Sequence, residues 1–377
     1  MKDRMKLAVI GGFLGSGKTT AILDIAKKLM GSGIKVGIVT NDQGSDLVDT
    51  NFLRSAGFPV LEVDGGCFCC NFDEFVRKLN TLARENLPDI ILAEPVGSCT
   101  DLVASIFKPM QMKQAGEFAL APLCVLADPR RAKRLMDDSD QRFQSEINYL
   151  FKKQLEEADI ILLNKIDLFA PDEIKTIKNY LQNTFEGAEV LCVSAKEGKG
   201  IEKILPVLLG FEAQSNKVLM ELDYDAYGLA ESFLGWFNAT AAVVSERAVD
   251  LKAFIADFMN DVKEKTAKMG KDIAHLKTYA MGTGGYTKAS ITGVDDAIDF
   301  YEDNFKSGTS FSMVVNARMN VPPIQLEEMM KAAIEYSAQK FDVKIERYKS
   351  DCFTPGMPSR AARDGQACSC CCSCKKE

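Results

Sequence analysis

Two short stretches hold residues whose types and spacing can do chemistry. "GFLGSGKT", Gly12 to Thr19, has the form G-x-x-x-x-G-K-[ST] and follows the apolar run "LAVI". A loop of this kind, between a strand and a helix, turns backbone N–H groups toward phosphates. Gly12, Gly15, Ser16, Gly17, Lys18, Thr19 and Thr20 are therefore the expected phosphate-binding residues. Lys18 should reach the β- and γ-phosphates and Thr19 should ligate Mg²⁺. The second stretch, "GGCFCC", puts Cys67, Cys69 and Cys70 within four residues. Thiolates are soft ligands that favour Zn²⁺ or Cu(I). Three of them leave a fourth tetrahedral position open, which suits transfer better than storage.

Other polar residues stand where apolar runs end. "DIILAEPVG" supplies Glu94, which can hold Mg²⁺ through water or orient the attacking water, and Gly97, whose backbone can approach a γ-phosphate. "VTND" supplies Asp42, an Mg²⁺ or switch residue on one reading and a turn or helix cap on the other. Lys18, Glu94 and Asp42 are thus the expected catalytic residues. "LLNKIDL" supplies Asn164, Lys165 and Asp167. A carboxylate there can accept from both N1–H and the 2-amino group of guanine, a donor pair that adenine lacks. Ser194, Ala195 and Lys196 of "VSAK" would offer a backbone N–H to guanine O6. Cys99, two residues past Gly97, could approach the thiol site, whereas Cys124 and Cys192 read as core packing. The single histidine, His275, reads as structural, and Cys352 carries no assignment. Near the end, "CSCCCSC" places Cys368, Cys370, Cys371, Cys372 and Cys374 in seven residues, enough to buffer or collect a soft metal.

The elements that must position these residues follow a pattern. "KLAVIGG", "KVGIVTND", "FPVLEVDGG", "PDIILAEP", "PLCVLADP", "ADIILLNK" and "EVLCVSAK" are strand-length apolar runs ending in polar or glycine residues. Continuous apolar runs predict strands buried on both faces. Helical patterns lie between them, as with Ile22, Ile25, Ala26 and Leu29 at i, i+3, i+4, i+7. The alternation predicts an α/β fold, a P-loop NTPase with a mainly parallel sheet whose ligands sit beyond the strands' carboxyl ends. After "FEAQSNK" the texture changes to strands such as "SFLGWFNATAAVVS" and "TSFSMVVNARM" with two helical stretches, predicting a smaller α+β domain. The expected domains are residues 1–212, 213–350 and a Cys-rich tail, 351–377, that lacks apolar periodicity.

Bulk composition narrows the field. Of 377 residues 46% are hydrophobic and 26% charged, which suits a chain that buries a real core. A net charge of −7 argues against a broad nucleic-acid or anionic-membrane surface. No apolar stretch is long enough for a membrane span, and the N-terminal apolar run is too short for a signal peptide. The expectation is a cytoplasmic protein whose twelve cysteines are mostly reduced, so that their clusters point to metal.

Taken in order, "GGFLGSGKTT", "VTND", "GGCFCC", the E-x-x-G of "EPVG", "QLEEADIILLNKIDL" and "VSAK" resemble the CobW/HypB/UreG family of metallochaperone GTPases, in its CobW-like branch. The resemblance is close over about residues 5–205 and weaker beyond. It implies that Cys67, Cys69 and Cys70 are metal ligands and that Lys18, Thr19, Asn164, Lys165 and Asp167 carry GTP. It also implies a homodimer or a docked client metalloprotein. The chain departs from the histidine-rich metal segments of many such proteins, and the cysteine tail stands in their place. The expected cofactors are GTP, Mg²⁺ and a soft transition metal, Zn²⁺ foremost. The leading function is a GTPase that couples nucleotide state to metal delivery. The alternatives are a GTP-dependent assembly or reactivation factor for a corrinoid-type enzyme and a thiolate metal buffer without catalysis.

Overall fold

The computed structural model describes residues 4–41, 48–63, 66–137, 145–214, 219–303 and 307–355. Asp42 and the tail cysteines Cys368, Cys370, Cys371, Cys372 and Cys374 lie outside the described residues. The chain forms two compact units.

The first unit, residues 4–41 and 53–229 among those described, is built on parallel strands. They are β1 (Met5–Gly12), β2 (Val36–Asn41), β3 (Val60–Val63), β4 (Ile90–Glu94), β5 (Phe118–Leu120), β6 (Cys124–Ala127), β7 (Ile160–Leu163) and β8 (Glu189–Cys192). Their order is β3-β2-β4-β1-β6-β7-β8, with β5 paired to the first half of β1 and β6 to its end. All seven apolar runs expected to be strands are strands. The short β5 was not expected, because three apolar residues give no period to read. Helices α1 (Lys18–Gly31), α3 (Phe72–Glu85), α4 (Lys108–Lys113), α5 (Pro129–Asp137), α6 (Ser145–Glu156), α7 (Pro171–Thr184) and α8 (Leu205–Gly210) alternate with the strands, and α2 (Val48–Ser55) follows β2.

β1 explains why the sheet forms. Leu7, Ala8, Val9 and Ile10 are all fully buried, which only a strand covered on both faces can achieve. Burying a large aliphatic side chain such as Leu7 or Ile10 contributes about 1.5–3 kcal/mol. From β1 the sheet is extended in one direction by β4, β2 and β3 and in the other by β6, β7 and β8. The reversal falls at β1, and doubly wound sheets bind ligands beyond the carboxyl ends of the strands at such a point.

The second unit comprises Val48–Phe52 of the described residues together with Ala230–Pro355. The division falls inside α9 (Tyr224–Ser232). Six antiparallel strands follow the order β12-β11-β10-β13-β9-β14: β9 (Gly235–Asp250), β10 (Ile273–Gly282), β11 (Gly285–Ile291), β12 (Asp299–Asp303), β13 (Ser307–Met319) and β14 (Lys344–Phe353). Helices α10 (Leu251–Lys268) and α11 (Pro323–Lys340) cover one face, where Phe237, Phe254, Phe258, Met313 and Ile334 belong to a continuous core. Asp250 caps α10 by accepting from Ala253 N at 3.0 Å. Within this unit Phe52 packs edge-on against Tyr286 and Tyr301, and Asp49 pairs with Lys277 at 2.5 Å. His275 is buried in β10, and Cys352 lies in β14 with its Sγ 3.2 Å from Pro323 O. No helix among the described residues is long and apolar enough to cross a membrane.

Candidate functional site

The glycine-rich loop leaves β1 and enters α1 at Lys18. Gly17 has φ +95°, and a Cβ there would lie 2.4 Å from Asn164 Nδ2, so both conformation and space demand glycine. Phe13 anchors the loop between the Arg131 guanidinium, 4.6 Å above its ring, and the edge-on ring of Phe151. Lys18 Nζ folds back over the loop, donating to Gly12 O at 2.9 Å and to Phe13 O at 3.3 Å. Thr19 Oγ1 donates to Glu94 Oε1 at 2.9 Å, and both residues are buried. The Ser16 hydroxyl is buried in the same loop without a hydrogen-bond partner. Gly15 and Thr20 are half-buried members of the same loop and helix start.

Gly97 meets this loop directly. A Cβ there would fall 2.7 Å from Leu14 Cδ2 and 3.0 Å from Lys18 Nζ. The backbone of the "EPVG" segment therefore lies against the lysine that a terminal phosphate would engage.

The residues of the "NKID" and "SAK" stretches are held by hydrogen bonds and an ion pair. Asn164 Nδ2 donates to Ser16 O at 2.8 Å, and Asn164 Oδ1 accepts from Ala195 N at 2.9 Å. Ser194 Oγ bonds Asp167 Oδ1 at 2.5 Å and accepts from Glu197 N at 3.2 Å. Lys196 is exposed. Lys165 adopts a left-handed backbone with φ 59°, and its Nζ pairs with Asp128 Oδ2 at 2.7 Å. Burial pushes the Asp128 carboxyl up, but the Lys165 ammonium and the Arg130 N–H overcome it and hold the carboxyl below its ordinary value.

The cysteine motif joins the first unit between β3 and α3. Asn41, the last residue of β2, donates through Nδ2 to Val63 O (2.9 Å) and Gly66 O (2.7 Å), and its Oδ1 accepts from Phe68 N (2.8 Å). Phe68 is fully buried and stacks on Phe75 with ring centroids 4.2 Å apart. With Phe68 fixed inward, the flanking sulfurs converge. The ligand atoms of Cys67, Cys69 and Cys99 lie within 4.8 Å of one another. Cys70 borders this trio: its backbone N–H points at Cys67 Sγ at 3.4 Å, and its thiol hydrogen-bonds to Cys67 and Cys69. Hydrogen bonds with Cys67, Cys70 and Cys99, together with burial, push the Cys69 thiol well above its ordinary value. A soft cation entering here must displace protons.

Cys99, expected only to approach the thiol site, is one of the three clustered thiols, and its place is set by a residue with no local signal. Gln154 of α6 donates through Nε2 to Gly97 O at 3.0 Å and to Cys99 O at 2.9 Å. The segment continues through Asp101, with φ 65°, into a π-helical turn at Val103–Phe107, a distortion frequent at functional sites. Asn41, Asp128 and Gln154 were not singled out, though each stands in a quoted stretch. The usable signal was a polar residue at the end of a buried strand for Asn41 and near one for Asp128. Gln154 had none. Cys124 opens β6 and Cys192 closes β8, away from the cluster of three.

A parallel sheet with a glycine-rich loop at its reversal point and an N-K-x-D network braced against that loop defines a P-loop nucleotide-binding domain. Residues 6–192 match the family model for the CobW/HypB/UreG nucleotide-binding domain, so this part of the chain is similar to that family's domain. Among curated relatives, the zinc chaperone CobW of Sinorhizobium sp is 27% identical over 331 residues, covering 80% of this chain and 88% of that one. The zinc chaperone YeiR of Escherichia coli is 33% identical over 198 residues, covering 51% of this chain and 55% of that one. A solved structure, Zn(II)-bound YjiA GTPase from Escherichia coli, aligns with 89% of this chain and 99% of that one at 16% identity and a TM-score of 0.39.

Proposed function

We propose that this chain is a GTP-hydrolysing metallochaperone that holds a soft transition metal ion, Zn²⁺ foremost, on thiolates and passes it to a client metalloprotein. One observation carries the reading: Cys99, in the thiol cluster, stands two residues beyond Gly97, which lies against Lys18. The nucleotide and the metal are thus sensed by one short segment, Glu94 to Cys99. A γ-phosphate drawing Lys18 away from Gly12 O would shift Gly97 and with it the sulfur of Cys99. In one position Cys67, Cys69 and Cys99 share the ion, with Cys70 beside them. In the other the set loosens and a client's ligands take it.

The rest of the site serves the nucleotide. Asn164 and Asp167 read guanine, and Lys165 keeps its place through Asp128. The oxygens of Thr19 and Glu94, already 2.9 Å apart, are a hard donor set that suits Mg²⁺. Bound there, Mg²⁺ would neutralise phosphate charge, while Glu94 orients the attacking water. Asp42 is proposed as a switch residue, the second domain as the client-recognition element and the cysteine tail as a metal collector. The names of the two curated relatives, both zinc chaperones, support zinc as the cargo.

The test is the double substitution Cys67→Ala and Cys69→Ala in a chain ending at Gln366. It should abolish tight Zn²⁺ binding while GTP affinity stays within about twofold. Unchanged Zn²⁺ affinity would remove the metal role from this cluster.

A further inference from the structure

Gln154 lies in the last turns of α6 and is 2% exposed. Both atoms it donates to are carbonyl oxygens, so chemistry alone turns the amide nitrogen toward them. Its Oε1 is buried without a hydrogen-bond partner. A residue that only filled this space would be apolar, and one held for polar satisfaction would bond at both ends. Gln154 instead joins the two carbonyls on either side of Ser98. Its helix reinforces the grip. Phe151, one turn earlier, packs against Phe13 of the glycine-rich loop, and Glu157, just past the helix end, accepts from Val103 N at 3.1 Å. The same helix therefore touches the loop, the Gly97–Cys99 segment and the turn that follows it.

We propose that Gln154 is a positioning residue that makes Gly97 and Cys99 move as one body, so that nucleotide state beside Lys18 reaches the thiol cluster. The inference rests on the reading of the site given above. Without the two bonds, the turn closed by Cys99 N and Val96 O, 3.0 Å apart, is released from α6. Gly97 can then follow the phosphate while Cys99 stays where the cluster holds it. Nucleotide binding and metal binding both survive, and the link between them is lost.

Two readouts separate this proposal from the function it rests on. The first is the rate at which iodoacetamide alkylates Cys99 in the metal-free full chain, followed by peptide mass mapping under Mg²⁺·GDP and under a non-hydrolysable GTP analogue. The second is Zn²⁺ affinity under the same two nucleotides. Both are measured for the unaltered chain, for Gln154→Met, which keeps the length and loses the donor, and for Gln154→Asn, which keeps the amide and loses the reach. In the unaltered chain the Cys99 rate should differ about fivefold or more between nucleotides. In both variants the two rates should become equal while each nucleotide still binds. A variant that keeps the full response, an unaltered chain whose Cys99 does not respond, or loss of nucleotide binding in both variants would overturn the proposal. If Cys99 responds and Gln154→Met abolishes the response while Zn²⁺ affinity ignores the nucleotide, the relay stands and the metallochaperone reading falls.

Discussion

Lys165 holds a left-handed backbone in the middle of the N-K-x-D stretch, and the Asp128 carboxylate 2.7 Å from its ammonium helps keep it there. Such a conformation costs about 1–3 kcal/mol in a non-glycine residue and persists where surroundings over-determine it. Asp128→Asn leaves the ammonium without its counter-charge and should destabilise the chain by about 3 kcal/mol at neutral pH. The pH dependence follows from the direction of the shift. The folded carboxyl ionises below the ordinary value of 3.8, so its contribution is complete above that value and fades as pH falls through the lower, folded-state one. Urea midpoints of the two chains should differ by a constant amount down to about pH 5 and converge below about pH 4. A gap unchanged at low pH would contradict the pairing. At this scale the sequence was legible where chemistry is local. Glycines and lysine of the loop, and three cysteines within four residues, announce themselves by spacing. Asp128, Asn41 and Gln154 act through hydrogen bonds to segments 22 to 57 positions away, and no local pattern encodes such partners.

Elements decide which of these residues meet. β1 and β4 are neighbouring parallel strands, so the loop after one and the Glu94–Cys99 segment after the other emerge side by side. β2 lies next to β4 on one side and β3 on the other, which brings Asn41 to the cysteine motif. Gly97 is where this packing is tightest. Gly97→Ala puts a methyl group within 2.7 Å of Leu14 and 3.0 Å of Lys18 Nζ. Affinity for a non-hydrolysable GTP analogue should fall about tenfold, a cost of about 1.4 kcal/mol, with a smaller loss for GDP. Equal losses for both nucleotides, read by fluorescent-nucleotide titration, would detach Gly97 from the terminal phosphate. Long Val/Ile/Leu runs made the parallel strands readable. β12, "DFYED", escaped because an acidic stretch with no alternation looks like a loop until β11 pairs with it.

At the scale of the whole molecule the chain passes between its units more than once. It contributes Val48–Phe52 to the second unit, returns at Leu53, and leaves again within α9. Tyr224, at the start of α9, donates its hydroxyl to Asp101 Oδ2 at 2.8 Å, two residues beyond Cys99. The chain just past the proposed Glu94–Cys99 relay is thereby tied, inside the first unit, to the start of α9. This predicts that client affinity, like metal affinity, follows the nucleotide. The most direct measurement of the central claim is Zn²⁺ affinity by competition with a chromophoric chelator, anaerobically, for a chain ending at Gln366. It is made with Mg²⁺·GDP and with a non-hydrolysable GTP analogue, and again after Lys18→Ala. The account predicts a shift of about tenfold or more between nucleotides that Lys18→Ala erases while metal binding persists. Equal affinity in both nucleotide states, with tight binding present only in chains that retain the cysteine tail, would contradict it.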